Sequence, residues 1–215
     1  MADQITGKQF EEAPGVEDWR GLWGGGFAST YFPTGSFGAG ASLVRAISEL
    51  SAATDHHVDV DLRAEGLTVR VFTHEPGGLS SDDLEVARQI SAAARSLGLA
   101  ADPSGVQQVQ VNIDALAARE LQPFWAAVLG YAPVGDEDVF DPRRVGPPFT
   151  FQQMDAPRPQ RNRIHIDVYV PRDQVEARIK AALAAGGHMV NDTHAPNWWT
   201  LADAEGNEVD LAIWG

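Results

Sequence analysis

The chain of 215 residues contains no cysteine, so neither disulfides nor thiolate metal centres are available to it. It has no stretch approaching the ~18 consecutive apolar residues of a membrane-crossing helix. It is also poor in positive charge. Sixteen Lys and Arg face thirty Asp and Glu, a formal net charge of −14, and no run of basic residues breaks that balance. An anionic surface of this kind repels nucleic acid and anionic membranes, so neither is expected as a partner. The opening residues, MADQITGKQFEEAPG, lack the apolar core of a signal peptide. A soluble, cytoplasmic protein is therefore expected.

What is present is a hydrophobic fraction of 44%, ample for packed cores, and a length that suits two domains of ~100 residues. The first ~35 residues hold Trp19, Trp23, a Gly24-Gly25-Gly26 run and a β-prone stretch, Phe27–Phe32. From Ser36 the apolar residues Leu43, Ile47 and Leu50 recur at helical spacing, predicting a helix that ends near Asp55. The period then falls to two. Val58, Val60 and Leu62 alternate with Asp59, Asp61 and Arg63, and after Ala64-Glu65-Gly66 so do Leu67, Val69 and Val71 with Thr68, Arg70 and Phe72. This predicts an antiparallel hairpin with one face on a core. A second helix follows Pro76-Gly77-Gly78. Ser80 or Ser81 is placed to cap it, Asp82, Asp83 and Glu85 suit its positive end, and Gly98 stops it. Its predicted apolar stripe is Leu84, Ala87, Ile90, Ala94 and Leu97.

After a linker expected at Leu99–Gly105 the order restarts. A strand is predicted over Val109–Asp114, a helix over Leu116–Leu129, a strand over Arg163–Val170 and a helix over Arg172–Ala185. Strands near Met189, Trp199 and Val209–Trp214 complete the chain, with a turn at Asp203–Asn207. Strand, helix and several strands thus occur twice, with Gln110 and His165 at corresponding places, which reads as an internal β-α-β-β-β duplication.

Three of the six histidines, His56, His57 and His74, lie within nineteen residues. The pair precedes the first hairpin strand and His74 follows the second, so a tight hairpin brings them to one sheet end. Imidazoles gathered there suit a metal site, a pH-sensitive cluster or an acid/base site, and they are also compatible with polar residues meeting on a surface by chance.

The same segments resemble the pterin-4a-carbinolamine dehydratases. Asp55-His56-His57, fifteen residues, then Thr73-His74-Glu75-Pro76-Gly77-Gly78-Leu79-Ser80 is similar to that family's paired motifs, and Trp19 and Phe37 match its upstream aromatics. The resemblance spans about Trp19 to Leu97. It implies dehydration of a 4a-hydroxytetrahydropterin to quinonoid dihydropterin, with His56, His57 and His74 catalytic. Of these, His56 and His74 are the proton-transfer groups and His57 helps hold the pterin. It further implies Asp55, Glu75 and Trp19 around the substrate, no cofactor, and a homodimer or larger homo-oligomer. Two positions depart from the pattern: Val58 stands where the family has proline, and Ala52 where it often has a carboxylate.

In the second half, Phe124-Trp125-Ala126-Ala127-Val128-Leu129-Gly130-Tyr131, Asn162–Val168 and Leu201–Leu211 resemble the glyoxalase-like branch of the vicinal oxygen chelate superfamily. Metal-dependent members hold a divalent ion with four side chains. By this resemblance His165 and Glu208 are the candidate ligands, while Gln110 and Gln152 or Gln153 are weak neutral donors, so no catalytic metal is expected. His188 and His194 are expected to be solvated, and Trp198, Trp199 and Trp214 to pack.

The expected protein is α+β. A dehydratase-like two-layer domain occupies 1–98, a linker 99–105, and a paired β-α-β-β-β glyoxalase-like domain 106–215. Two other readings stand beside the dehydratase. One is a non-catalytic dimerisation or interaction module. The other is a glyoxalase-like lyase, dioxygenase or small-molecule binder acting through the C-terminal domain.

Overall fold

A computed structural model describes residues 3–22, 26–54, 56–73, 77–119, 122, 131–156, 164–184, 187–202 and 208–213. The chain divides into two compact units. One is Met1–Gln107 with the short segments Pro171–Gln174 and Ile213–Gly215, and the other is Gln108–Val170 with Val175–Ala212. No helix among the described residues is long and apolar enough to cross a membrane.

In the first unit a short strand β1 (Gln4–Ile5) and helix α1 (Gly7–Glu11) precede β2 (Arg20–Leu22) and β3 (Phe27–Pro33). Helix α2 (Phe37–Thr54), β4 (Val58–Leu62), β5 (Gly66–Val71), the two-residue β6 (Leu79–Ser80) and helix α3 (Ser81–Ser96) follow. The sheet is antiparallel in the order β2-β3-β5-β4, and β1 pairs separately with β6. Alternation explains its two faces. Ala28 and Phe32 on β3 and Leu67, Val69 and Val71 on β5 meet Leu43 and Ile47 of α2 and Val86, Ala87, Ile90 and Ala94 of α3 in one core. The predicted hairpin forms with Leu62 opposite Leu67 and Val58 opposite Val71. Val58 and Leu62 pack on the core, but Val60 stays exposed, because β4 is the last strand of the sheet.

The α3 stripe differs from expectation. Val86 and Ser91 join it, and Leu97, at the C-cap, is exposed. Gly98 adopts φ +73° and lets Leu99 N–H reach the Ala94 carbonyl at 2.9 Å, a left-handed stop that glycine accepts without strain. Residues beyond it lie against the sheet. Leu99 and Ala101 pack on the core, Asp102 N–H donates to the Tyr31 carbonyl at 2.7 Å, and a 3-10 turn, Pro103–Gly105, abuts the Tyr31 ring.

The second unit is one eight-stranded sheet. Its strands are β7 (Gln108–Ala115), β8 (Ala132–Val134), β9 (Asp138–Phe140), β10 (Phe149–Gln153), β11 (Ile164–Tyr169), β12 (His188–Asn191), β13 (Trp198–Ala202) and β14 (Glu208–Ala212), with helix α4 (Val175–Ala184) after β11. The order β12-β13-β14-β11-β7-β10-β9-β8 reads symmetrically about the β11–β7 seam. On either side of that antiparallel seam a parallel pair follows, β11 with β14 and β7 with β10. That is the arrangement an internal duplication produces. At the open ends, β8 carries Pro133 and β12 shifts register between Met189 and Asn191. The expected helix over Leu116–Leu129 falls mostly on residues 120, 121 and 123–130, outside the described residues, as do the Asp203–Asn207 turn, Trp214 and Trp23.

Candidate active site

The corner predicted to gather the histidines is built around a carboxylate. Asp83 is the third residue of α3 and 0% exposed. Its Oδ2 accepts the Ser80 backbone N–H at 2.7 Å, the Thr73 hydroxyl at 2.9 Å and the Ser80 hydroxyl at 3.0 Å. Its Oδ1 lies 2.7 Å from His56 Nε2. A buried charge survives only with donors around it, and Asp83 has these, together with the positive end of the α3 dipole.

His56 is held from two directions. Its ring meets Asp83, and its carbonyl accepts a short hydrogen bond from the Ser51 hydroxyl in the last turn of α2. The hydrogen bond to Asp83 raises the His56 pKa above its ordinary value. Burial opposes this, and the charges of Asp83 and Asp82 add to it. His56 is thereby kept cationic to higher pH than a solvated histidine.

The hairpin brings the second stretch of chain to the same place. Val58 pairs with Val71 at the end of the ladder, and two residues outward on each strand stand His56 and Thr73. Thr73 bridges back to Gly78, its N–H donating to the Gly78 carbonyl at 2.8 Å, and the turn closes through Gly77 and Gly78 at φ +94° and +102°. Left-handed backbone at two successive residues is a glycine requirement. Gln4 ties the turn to β1 by donating to the Gly77 carbonyl at 2.9 Å.

Of the residues singled out in sequence, His56 is half-buried on Asp83, and His57 is exposed at the foot of β4. Asp55, His74 and Glu75 lie outside the described residues. Trp19 requires a correction. It is 1% exposed in the core, with its indole N–H donating to Ser91 of α3 at 3.0 Å, so it has no free face on which a bicyclic ring could stack. Phe37 begins α2 and is exposed. Sequence reasoning treated Asp83 only as a dipole partner. The Ser80-x-x-Asp83 spacing of a capping box was the available signal that this carboxylate folds back onto its own helix start.

In the second unit, Gln110 is buried on β7 and Glu208 is exposed on β14. The His165 backbone pairs with Asn112, and its side chain lies outside the description. His188 is exposed, and the exposed His194 stacks on the Trp198 ring at 4.1 Å between centroids.

The geometry therefore defines a two-unit α+β protein with a carboxylate-backed histidine at a hairpin corner. Comparison with known proteins agrees with each half. The family model for pterin 4 alpha carbinolamine dehydratase matches residues 3–93, and that for a glyoxalase-like domain matches residues 110–212. A protein of Mycobacterium avium (strain 104), assigned as a pterin-4-alpha-carbinolamine dehydratase, is 33% identical over 93 residues, 43% of this chain and 97% of its own length. A second, from Mycobacterium sp. (strain KMS) and assigned the same way, is 36% identical over 87 residues, 40% of this chain and 90% of its own. Among solved structures, a transcriptional coactivator/pterin dehydratase from Brucella melitensis is 20% identical with a TM-score of 0.40, covering 43% of this chain and 99% of that one. Through its N-terminal half the chain belongs to the pterin-4a-carbinolamine dehydratase family, and its C-terminal half is a glyoxalase-like domain.

Proposed function

We propose that the N-terminal half, read as a domain over residues 1–98, dehydrates 4a-hydroxytetrahydropterin to quinonoid dihydropterin. The observation that carries this is the His56–Asp83 pair, with Thr73, the residue before His74, hydrogen-bonded to the same carboxylate. Loss of the 4a-hydroxyl as water requires a proton on the departing oxygen and removal of one from the adjacent ring nitrogen. A histidine kept cationic by a buried carboxylate suits the first task, so His56 is the general acid, acting through Nδ1, the nitrogen turned from Asp83. His74, next in sequence to Thr73, is assigned as the base, and His57 as the residue that holds the pterin. Asp55 and Glu75, the sequence neighbours of His56 and His74, are assigned to orient these imidazoles. Positioned proton transfers of this kind contribute ~10²–10⁴ each.

The test is the rate of 4a-carbinolamine loss, followed optically with the full chain. His56→Gln and His74→Ala are expected to lower kcat by ~10²–10⁴ each while the chain remains folded. Wild-type protein that fails to accelerate the loss, or variants as fast as wild type, would remove the enzymatic reading and favour an interaction module. Self-association through this half is part of the proposal, and sedimentation is expected to return a homodimer or larger species.

A further inference from the structure

The glyoxalase-like fold is associated with a divalent ion held between its two modules, and the donor set here can be tested against that. Gln153 turns away and donates to the carbonyls of Leu116 and Met154, at 3.0 and 2.8 Å. Gln152 and Glu208 are exposed at their strands. Gln110 directs its amide N–H groups to Asn112 Oδ1 at 2.7 Å and Thr150 Oγ1 at 2.9 Å, the donor side of a group whose oxygen a cation would need. Among the described residues, no three His, Asp or Glu side chains converge in a way that would hold a metal. Gln110 and Gln153 are neutral and committed elsewhere, whereas a divalent ion selects charged or imidazole ligands. It does not fit.

What occupies that face is a continuous chain of side-chain hydrogen bonds. Parity places Gln110 and Asn112 of β7 on the same side of the sheet as Thr150 of β10 and Asp167 and Tyr169 of β11. Thr150 donates its hydroxyl to Asp138 of β9 and accepts from Gln110. Gln110 donates to Asn112, and Asn112 Nδ2 makes a short hydrogen bond to Asp167 Oδ2. Tyr169 also bonds Asp167, and burial beside that carboxylate pushes the phenol well up, which keeps it a donor. Gln110, Asn112 and Asp167 are all buried. The chain of bonds runs from one carboxylate to another with neutral donors between, and it crosses the β11–β7 seam at Asn112–Asp167.

We propose that this unit works without a divalent metal, and that the side-chain ladder Asp138–Thr150–Gln110–Asn112–Asp167–Tyr169 instead joins its two β-α-β-β-β modules. A buried polar network that crosses the seam fixes sheet register and adds rigidity, and removing one link leaves its neighbours unsatisfied.

The test uses the full chain. Protein expressed with added manganese, nickel and zinc is analysed for bound metal, and its thermal midpoint is measured with and without EDTA. The expected result is far less than one equivalent of metal and a midpoint indifferent to EDTA. Thr150→Val, a near-isosteric change that strips Gln110 of one acceptor, is expected to lower the second unit's midpoint by about 3–8 °C. Asn112→Ala is expected to lower it further, and Thr150→Val keeps the test readable if that variant does not fold. One equivalent of metal lost on His165→Ala or Gln110→Ala would overturn the proposal. So would a Thr150→Val midpoint equal to wild type.

Discussion

Replacing Asp83 by Asn probes the first unit most directly, because shape is kept and only charge and accepting capacity are lost. The carboxylate takes bonds at both oxygens, from Ser80 and Thr73 on one and from His56 on the other. An amide has one accepting oxygen. It can serve the helix start or the histidine, not both, and whichever side faces its NH₂ loses a charge-assisted bond of about 1.5–3 kcal/mol. The expected destabilisation is therefore about 3 kcal/mol, read by urea unfolding. His56 carries the sharper signature. Its pKa is raised by Asp83 against the pull of burial, so in Asp83→Asn burial is opposed only by the weaker effect of the Asp82 charge, and the imidazole should titrate below its ordinary value of 6.5. The sign of the linkage follows. A raised folded-state pKa contributes stability that is complete below the unfolded value and fades as pH rises through the folded one. The stability gap between wild type and variant should therefore narrow as pH rises from below the ordinary histidine value to above the raised one. Imidazole resonances followed by NMR and unfolding at several pH values test both points. An unshifted His56 titration, or a gap flat across that range, would refute the pairing.

Other outcomes follow from packing. Trp19→Phe removes the indole donor from Ser91 and should cost about 1–3 kcal/mol while leaving KM for pterin unchanged; a raised KM would return Trp19 to the substrate. A β-carbon at Gly66 would stand 2.2 Å from the Tyr31 hydroxyl, so Gly66→Ala should destabilise the hairpin by about 1–3 kcal/mol in chemical denaturation. Gly78→Ala forces a side chain into φ +102°, a strain of about 1–2 kcal/mol. It should loosen the Thr73–Gly78 bridge, seen as faster amide exchange at Thr73.

The hairpin, both long helices of the first unit and the duplicated plan of the second were legible because each rests on a local period. Val58–Leu62 and Leu67–Val71 alternate, Leu43 and Ile47 sit four apart, and Gly98 marks a stop that only its own backbone freedom allows. Contacts across long stretches of sequence left no such trace. His56 and Asp83 are 27 residues apart, and no periodicity connects a strand's foot to a helix's third residue. Trp19 misled because an aromatic upstream of a histidine pair reads the same whether its partner is a ligand or Ser91. On β7 the alternating Gln108, Gln110 and Asn112 carry the pattern of a solvated face. Yet Gln110 and Asn112 are buried, since their polarity is consumed by neighbouring strands rather than water.

The two ends of the long sheet also bear on how this protein behaves when crowded. Proline in one terminal strand offers no amide hydrogen, and the slipped pairing in the other spoils the spacing a visiting strand would need. Concentrated solutions should accordingly resist fibre-like stacking through this half, even where heating loosens its outer strands.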